Sequence, residues 1–146
     1  MTVKEATLAD AAAVAALFDA YRIYYEQSSD LAGAERFIAE RLRNGESVIY
    51  LALDEGSPVG FTQLYPFFTS VGMKRAWVLN DLYVTEDYRN RGVGKALIAA
   101  AQDLARSTAA KWIMLQTYTS NVNAQALYEK LGFEKDTSSY YYYLGV

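Results

Sequence analysis

The chain has 146 residues, just over half of them apolar, and a formal net charge of -3. That length and apolar share suit one folded domain spanning 1–146 and exclude a disordered chain. Neither Cys nor His occurs, which excludes disulfides, thiolate nucleophiles and the usual zinc sites, and removes the commonest general base at neutral pH. No run of Lys and Arg offers a nucleic-acid footprint, and no apolar stretch approaches membrane-spanning length. Met1–Glu5 lacks the pattern of a signal peptide. The expectation is a cytoplasmic protein with no nucleic-acid, membrane or metal partner. Its catalysis is left to carboxylates, Tyr, Lys, Ser, Thr, backbone groups and water.

In chain order, Val3–Glu5 predicts a short strand. Thr7 caps a first helix with Asp10 three positions on, and Val14, Leu17, Phe18, Tyr21 and Tyr25 form its apolar stripe. Asp30 caps a second helix carrying Phe37, Ile38 and Leu42, which stops at Asn44-Gly45. Val48–Leu53 and Val59–Tyr65 are strands joined as a hairpin through Asp54-Glu55-Gly56-Ser57. Phe67–Arg75 reads as a loop and Ala76–Val84 as the fourth strand. A helix follows Gly94, with Val93, Leu97, Ala101 and Leu104 on one face. Trp112–Thr117 is a strand, and Asn123–Leu131 a helix ended by Gly132. Phe133–Lys135 and Ser139–Leu144 close the chain as a strand pair.

Between the fourth strand and its helix lies Arg89-Asn90-Arg91-Gly92-Val93-Gly94-Lys95. Two glycines two positions apart let the backbone turn sharply and approach a ligand closely. Unpaired N–H groups at the helix start favour an anion, and three basic side chains reinforce that preference. The P-loop spacing is absent, and Ala96 stands where that loop has Ser or Thr. The dinucleotide fingerprint fails because its third glycine would be Leu97. An anion-binding turn and a plain basic turn both fit the loop by itself.

Arg89-x-x-Gly92-x-Gly94 after Leu82-Tyr83-Val84 resembles the pyrophosphate signature of the GNAT superfamily of N-acetyltransferases. Asn121-x-x-Ala124-x-x-Leu127-Tyr128-Glu129-Lys130-x-Gly132-Phe133 resembles that family's second signature, in the same order and spacing. The element order agrees, so the resemblance covers essentially the whole chain. It implies an α/β fold of layered α+β type, with a mixed, mostly antiparallel sheet of six to seven strands and about four helices. The fourth and fifth strands would splay apart to admit pantetheine. It also implies acetyl-CoA as cosubstrate, held by Leu82, Tyr83, Val84, Arg89, Asn90, Arg91, Gly92, Val93, Gly94, Lys95, Asn121, Ala124 and Tyr128. A backbone N–H beside Leu82 or Val84 would polarise the acetyl carbonyl.

By the same resemblance, Tyr128 is the general acid that protonates the departing thiolate; its place on the apolar stripe of its helix is the alternative. Asn121 bonds the coenzyme amides or caps the helix. Asp81 is the nearest carboxylate for a base, and equally a partner for Arg75 or a surface charge. Leu79-x-Asp81-Leu82-Tyr83-Val84 is similar to polyamine acetyltransferases, which carry Glu where this chain has Asn80. That stretch and Gln116-Thr117…Asn121 also resemble small yeast histone and polyamine acetyltransferases. Tyr25, Glu26 and Asn80 fall where the family builds its acceptor site, with the aromatics available to an acceptor's cation. Tyr140–Tyr143, read as a strand, presents two tyrosines to each face, one of them a candidate acceptor wall or homodimer contact. The function implied is direct acetyl transfer to a primary amine of a small molecule or peptide. The alternative is a coenzyme-binding sensor without turnover.

Overall fold

The computed structural model describes residues 1–146 as two compact units, Met1–Gln116 and Thr117–Val146. In the first, β1 (Thr2–Glu5) leads through a short 3-10 turn into α1 (Ala11–Tyr24) and α2 (Leu31–Arg43). Then come β2 (Val48–Asp54), β3 (Ser57–Thr69), β4 (Lys74–Val84), α3 (Val93–Ser107) and β5 (Ile113–Met114). The five strands form one sheet in the order β1-β2-β3-β4-β5, antiparallel except for the last, parallel pair. No helix is long and apolar enough to cross a membrane.

Local chemistry accounts for the element ends. The Thr7 N–H donates to Asp10 Oδ2 at 2.8 Å, so the capping box forms, though it caps the 3-10 turn rather than α1 itself. Asp30 Oδ1 accepts from the Gly33 N–H at 3.0 Å and starts α2. Glu55 and Gly56 both take positive φ between the paired residues Asp54 and Ser57, the geometry that a tight hairpin demands.

Two cores form on opposite faces of the sheet. On one, Ala11, Val14 and Leu17 of α1 and Ile38 of α2 pack on Ile49, Leu51 and Phe61. On the other, Val93 and Leu97 of α3 pack on Ala52 and Val59. Each fully buried Val, Leu, Ile or Phe side chain contributes about 1.5–3 kcal/mol. Gly60 permits the second packing. A Cβ there would stand 2.9 Å from the Tyr83 carbonyl oxygen and 3.3 Å from Val93 Cγ1, so the start of α3 lies close against β3.

Three expectations need correction. The segment 67–75 is no loop: β3 runs to Thr69 and β4 begins at Lys74, with Phe67 opposite Ala76. Pro66 is tolerated because β2 pairs with β3 only as far as Leu64, leaving Pro66 without a ladder partner on that side. The strand expected over 112–117 shrinks to Ile113–Met114. The strand pair at 133–135 and 139–144 does not form, so the sheet has five strands rather than six to seven. Tyrosines favour strands only where a ladder partner exists. Just before them, the Ser138 N–H and hydroxyl both donate to Asp136 Oδ1 at 2.9 Å, turning the backbone locally.

The second unit carries α4 (Val122–Lys130). The Gly132 N–H donates to the Glu129 carbonyl and the Phe133 N–H to the Tyr128 carbonyl, at 3.1 and 3.0 Å, with Gly132 at φ +95°. That is the C-terminal helix stop expected of this glycine.

Candidate functional site

The anion loop is built as its residues require. Asn90 and Gly92 take φ +60° and +82°, and these two left-handed residues turn the chain into α3. No side chain caps the α3 N-terminus. Gly92, Arg91 and Lys95 are exposed beside it, whereas Val93 is buried and anchors the helix start to the sheet. Arg89 folds back: its Nε donates to the Val84 carbonyl at 3.0 Å, and its guanidinium lies 5.3 and 5.8 Å from the Tyr24 and Tyr83 ring centres. Arg91 lies over Tyr88 at 5.3 Å. Helix N–H groups, a left-handed glycine and two exposed basic side chains, Arg91 and Lys95, therefore lie at one turn, a donor set that fits a pyrophosphate, while Arg89 is turned back onto Val84.

Strand β4 supplies the second part. Gln63 of β3 pairs with Asp81 but Leu64 with Leu79, so Asn80 is an extra residue, a β-bulge. The bulge exchanges which backbone groups face each side. The Thr85 N–H bonds the Val59 carbonyl, so by alternation Tyr83 also points its backbone groups at β3, and Leu82 and Val84 point theirs away. On that other side, β5 pairs only with Trp77 and Val78. From Leu79 to Val84 the edge has no ladder partner, and it presents the N–H groups of Leu82 and Val84. An extended amide-bearing chain could pair there as a strand would.

Asp81 is neither a surface charge nor a partner of Arg75. It is 4% exposed, and Arg75 instead lies over the Phe68 and Trp77 rings. Gln63 Nε2 donates to Asp81 Oδ2 at 2.7 Å, and Asn80 Nδ2 donates to Oδ1 at 3.2 Å. Behind Gln63, the Ser47 hydroxyl donates to its Oε1 at 2.8 Å. Burial pushes the Asp81 carboxyl above the ordinary carboxylate value, and its side-chain donors, Gln63 first, pull it part of the way back. Burial also pushes the Tyr65 hydroxyl up to about 12, with the Asp81 charge adding to the effect, so that phenol stays neutral.

The end of α1 packs on β3 and β4 through a tyrosine cluster. Tyr21 stands edge-on to Tyr25, Phe61 and Tyr83, at 5.0, 6.1 and 6.4 Å between ring centres, and Tyr24 stands edge-on to Tyr25. Of the expected acceptor residues, Tyr25 belongs to this cluster and Asn80 touches Asp81. Glu26 lies exposed in the turn after α1 at φ +63°.

In the second unit Asn121 caps α4, its Oδ1 accepting from the Ala124 N–H at 3.4 Å. Tyr128 is part-buried, its ring edge-on to Phe133 at 5.7 Å. Sequence reasoning missed Gln63 and Ser47. The available signal was Gln63 itself, a polar residue on the strand face that also carries Phe61 and Tyr65. No group of three or more Asp and Glu stands close enough to hold a metal ion.

Residues 14–133 match the model of the "Acetyltransferase (GNAT) family". An uncharacterized N-acetyltransferase, YhfO, of Bacillus subtilis is 49% identical over 146 residues, covering 100% of this chain and 98% of that protein. An aminoglycoside N(6')-acetyltransferase type 1 of Stenotrophomonas maltophilia is 28% identical, over 97% of this chain and 91% of its own length. The crystal structure of a probable acetyltransferase superposes with a TM-score of 0.94 at 40% identity, covering 100% of this chain and 98% of that one.

Proposed function

From the premise that this chain belongs to the Acetyltransferase (GNAT) family, we propose that it transfers acetyl from acetyl-CoA directly to a primary amine of a small molecule or peptide. It is an acyltransferase, as its relatives are. The observation that carries the finer reading is the juxtaposition in the first unit. A pyrophosphate-type loop, an unpaired strand edge and a buried carboxylate occur together on one strand–turn–helix segment.

In this reading Arg89, Asn90, Arg91, Gly92, Val93, Gly94 and Lys95 hold the coenzyme's pyrophosphate at the start of α3. The backbone of Leu82, Tyr83 and Val84 lies along its pantetheine side. Bound there, acetyl-CoA supplies an activated thioester. The N–H groups of Leu82 and Val84 are donors for the acetyl oxygen. An amine must be neutral to attack, and Asp81 is the base that takes its proton; a carboxylate made more basic by burial suits that task. Tyr128 is the acid for the leaving thiolate, since a phenol donates one proton while neutral at pH 7. Asn121 and Ala124 set the first turn of the helix that carries it. Tyr25, Glu26 and Asn80 stand on the acceptor side.

The test is thiol release from acetyl-CoA with a panel of primary amines, including polyamines, aminoglycosides, amino acids and peptides. Release that depends on an amine is expected. Tight coenzyme binding with no turnover on any amine would leave the sensor reading instead. Tyr128→Phe keeps the ring packing on Phe133 and removes the proton. A fall in kcat of about 10²-fold is expected, with coenzyme affinity little changed. Unaltered turnover would assign the acid to another group.

A further inference from the structure

We propose that Tyr24 and Tyr83 form a site for the acceptor's ammonium, filled in the free protein by Arg89, which leaves it to pair with the coenzyme's pyrophosphate. The exchange rests on the reading of this chain as a coenzyme A-dependent amine acetyltransferase. It adds how the two ligands favour each other's binding.

Arg89 is not held by an ion pair. No carboxylate lies within ion-pair distance of it, whereas Arg22, Arg41 and Arg106 each have one. Its charge is met instead by two rings, the guanidinium lying 5.3 Å from the centre of Tyr24 and 5.8 Å from that of Tyr83. One backbone carbonyl, that of Val84, accepts from Nε at 3.0 Å. Two phenol rings around one cation is an arrangement that also binds an alkylammonium.

The site faces both ligands. Tyr83 and Asp81 are two apart on β4, in register with Phe61 and Gln63 and with no bulge between them. Their side chains leave the same face of the sheet, which puts the cation site on the side of the carboxylate proposed as base. The Val84 carbonyl points to the unpaired edge, so Arg89 lies across the end of the edge along which pantetheine would pair. Arg89 therefore stands in the acceptor's site and on the coenzyme's path at once. It is exposed, and it belongs to the same loop as Arg91 and Lys95 at the start of α3. Ring and carbonyl contacts of an exposed guanidinium are weaker than its charge-assisted, bidentate pairing with a phosphate.

Butylammonium is a plain primary ammonium, and CoA without its acetyl group keeps the complex from turning over. Butylammonium is titrated by NMR with and without saturating CoA, and CoA by calorimetry. In wild type, CoA should tighten butylammonium binding by about fivefold or more, and butylammonium should tighten CoA binding by the same factor. Arg89→Met empties the site, so butylammonium should bind the CoA-free variant as tightly as CoA-loaded wild type, with no further effect of CoA. Tyr24→Leu removes one ring at a position 55% exposed. It should weaken butylammonium binding yet tighten CoA binding, because less holds Arg89 back. A merely structural role for Tyr24 would not give opposite signs. Coupling that persists in Arg89→Met would assign it to general attraction between the coenzyme's charge and an ammonium, and would overturn the exchange. So would unchanged or weakened CoA binding in Tyr24→Leu. If wild type binds no CoA, the coenzyme reading itself fails, and the exchange with it.

Discussion

Asp81→Asn abolishes the rising limb of the pH profile of kcat/KM and lowers the rate at neutral pH by about 10²–10⁴-fold. The direction follows from the site. Burial raises the carboxyl above its ordinary value, so the working, ionised form appears as pH rises through that raised value. The same shift sets the sign of a stability effect. Between the ordinary carboxylate value of 3.8 and the raised one, the folded protein holds a proton that the unfolded chain has lost, so stability falls as pH rises through that window. Asn cannot ionise, and Asp81→Asn should flatten that fall. Thermal unfolding measured across the acid range, beside the pH–rate profile, checks both. A variant with a normal limb and normal turnover would remove Asp81 from the chemistry.

Gly92→Glu weakens coenzyme binding by about tenfold or more while the fold survives. Two effects add. At φ +82° any Cβ is strained, at a cost of roughly 1–2 kcal/mol. A carboxylate at the α3 N-terminus also occupies the anion position and repels phosphate. Nothing stands within 4 Å of a Cβ built there, so no neighbouring atom clashes with it. Gly92→Ala carries the strain without the charge, and the difference between the two variants isolates electrostatic exclusion. Calorimetric titration with CoA is the measurement, and each 1.4 kcal/mol appears as a tenfold change in Kd. An unchanged Kd in the folded Glu variant would show that this loop does not hold the phosphates.

Elements with local signals were legible from residues alone. Asp30 and Gly132 each bound a helix through atoms a few residues away, and Glu55-Gly56 turns a hairpin in the same way. The Arg89–Lys95 turn belongs with them, because two left-handed residues before a helix are written in Asn90, Gly92 and their neighbours. Tyr140–Tyr143 shows the limit of such signals. Its strand propensity is high, but a strand also needs a ladder partner, which no local pattern supplies.

The residue types at the site and the loop that can hold an anion were therefore determined by the sequence itself, since caps, glycine torsions and charge act over a few residues. The tertiary structure decided where Asp81 lies. The bulge at Asn80 sets the register in which Gln63 faces Asp81, turns the backbone N–H groups of Leu82 and Val84 toward the unpaired edge, and accompanies the burial of a carboxylate that the sequence left between base, ion-pair partner and surface charge. Burial and register arise from contacts such as Gln63 to Asp81 and Tyr21 to Phe61, made between distant parts of the chain. A carboxylate's basicity depends on what surrounds it rather than on its neighbours in sequence.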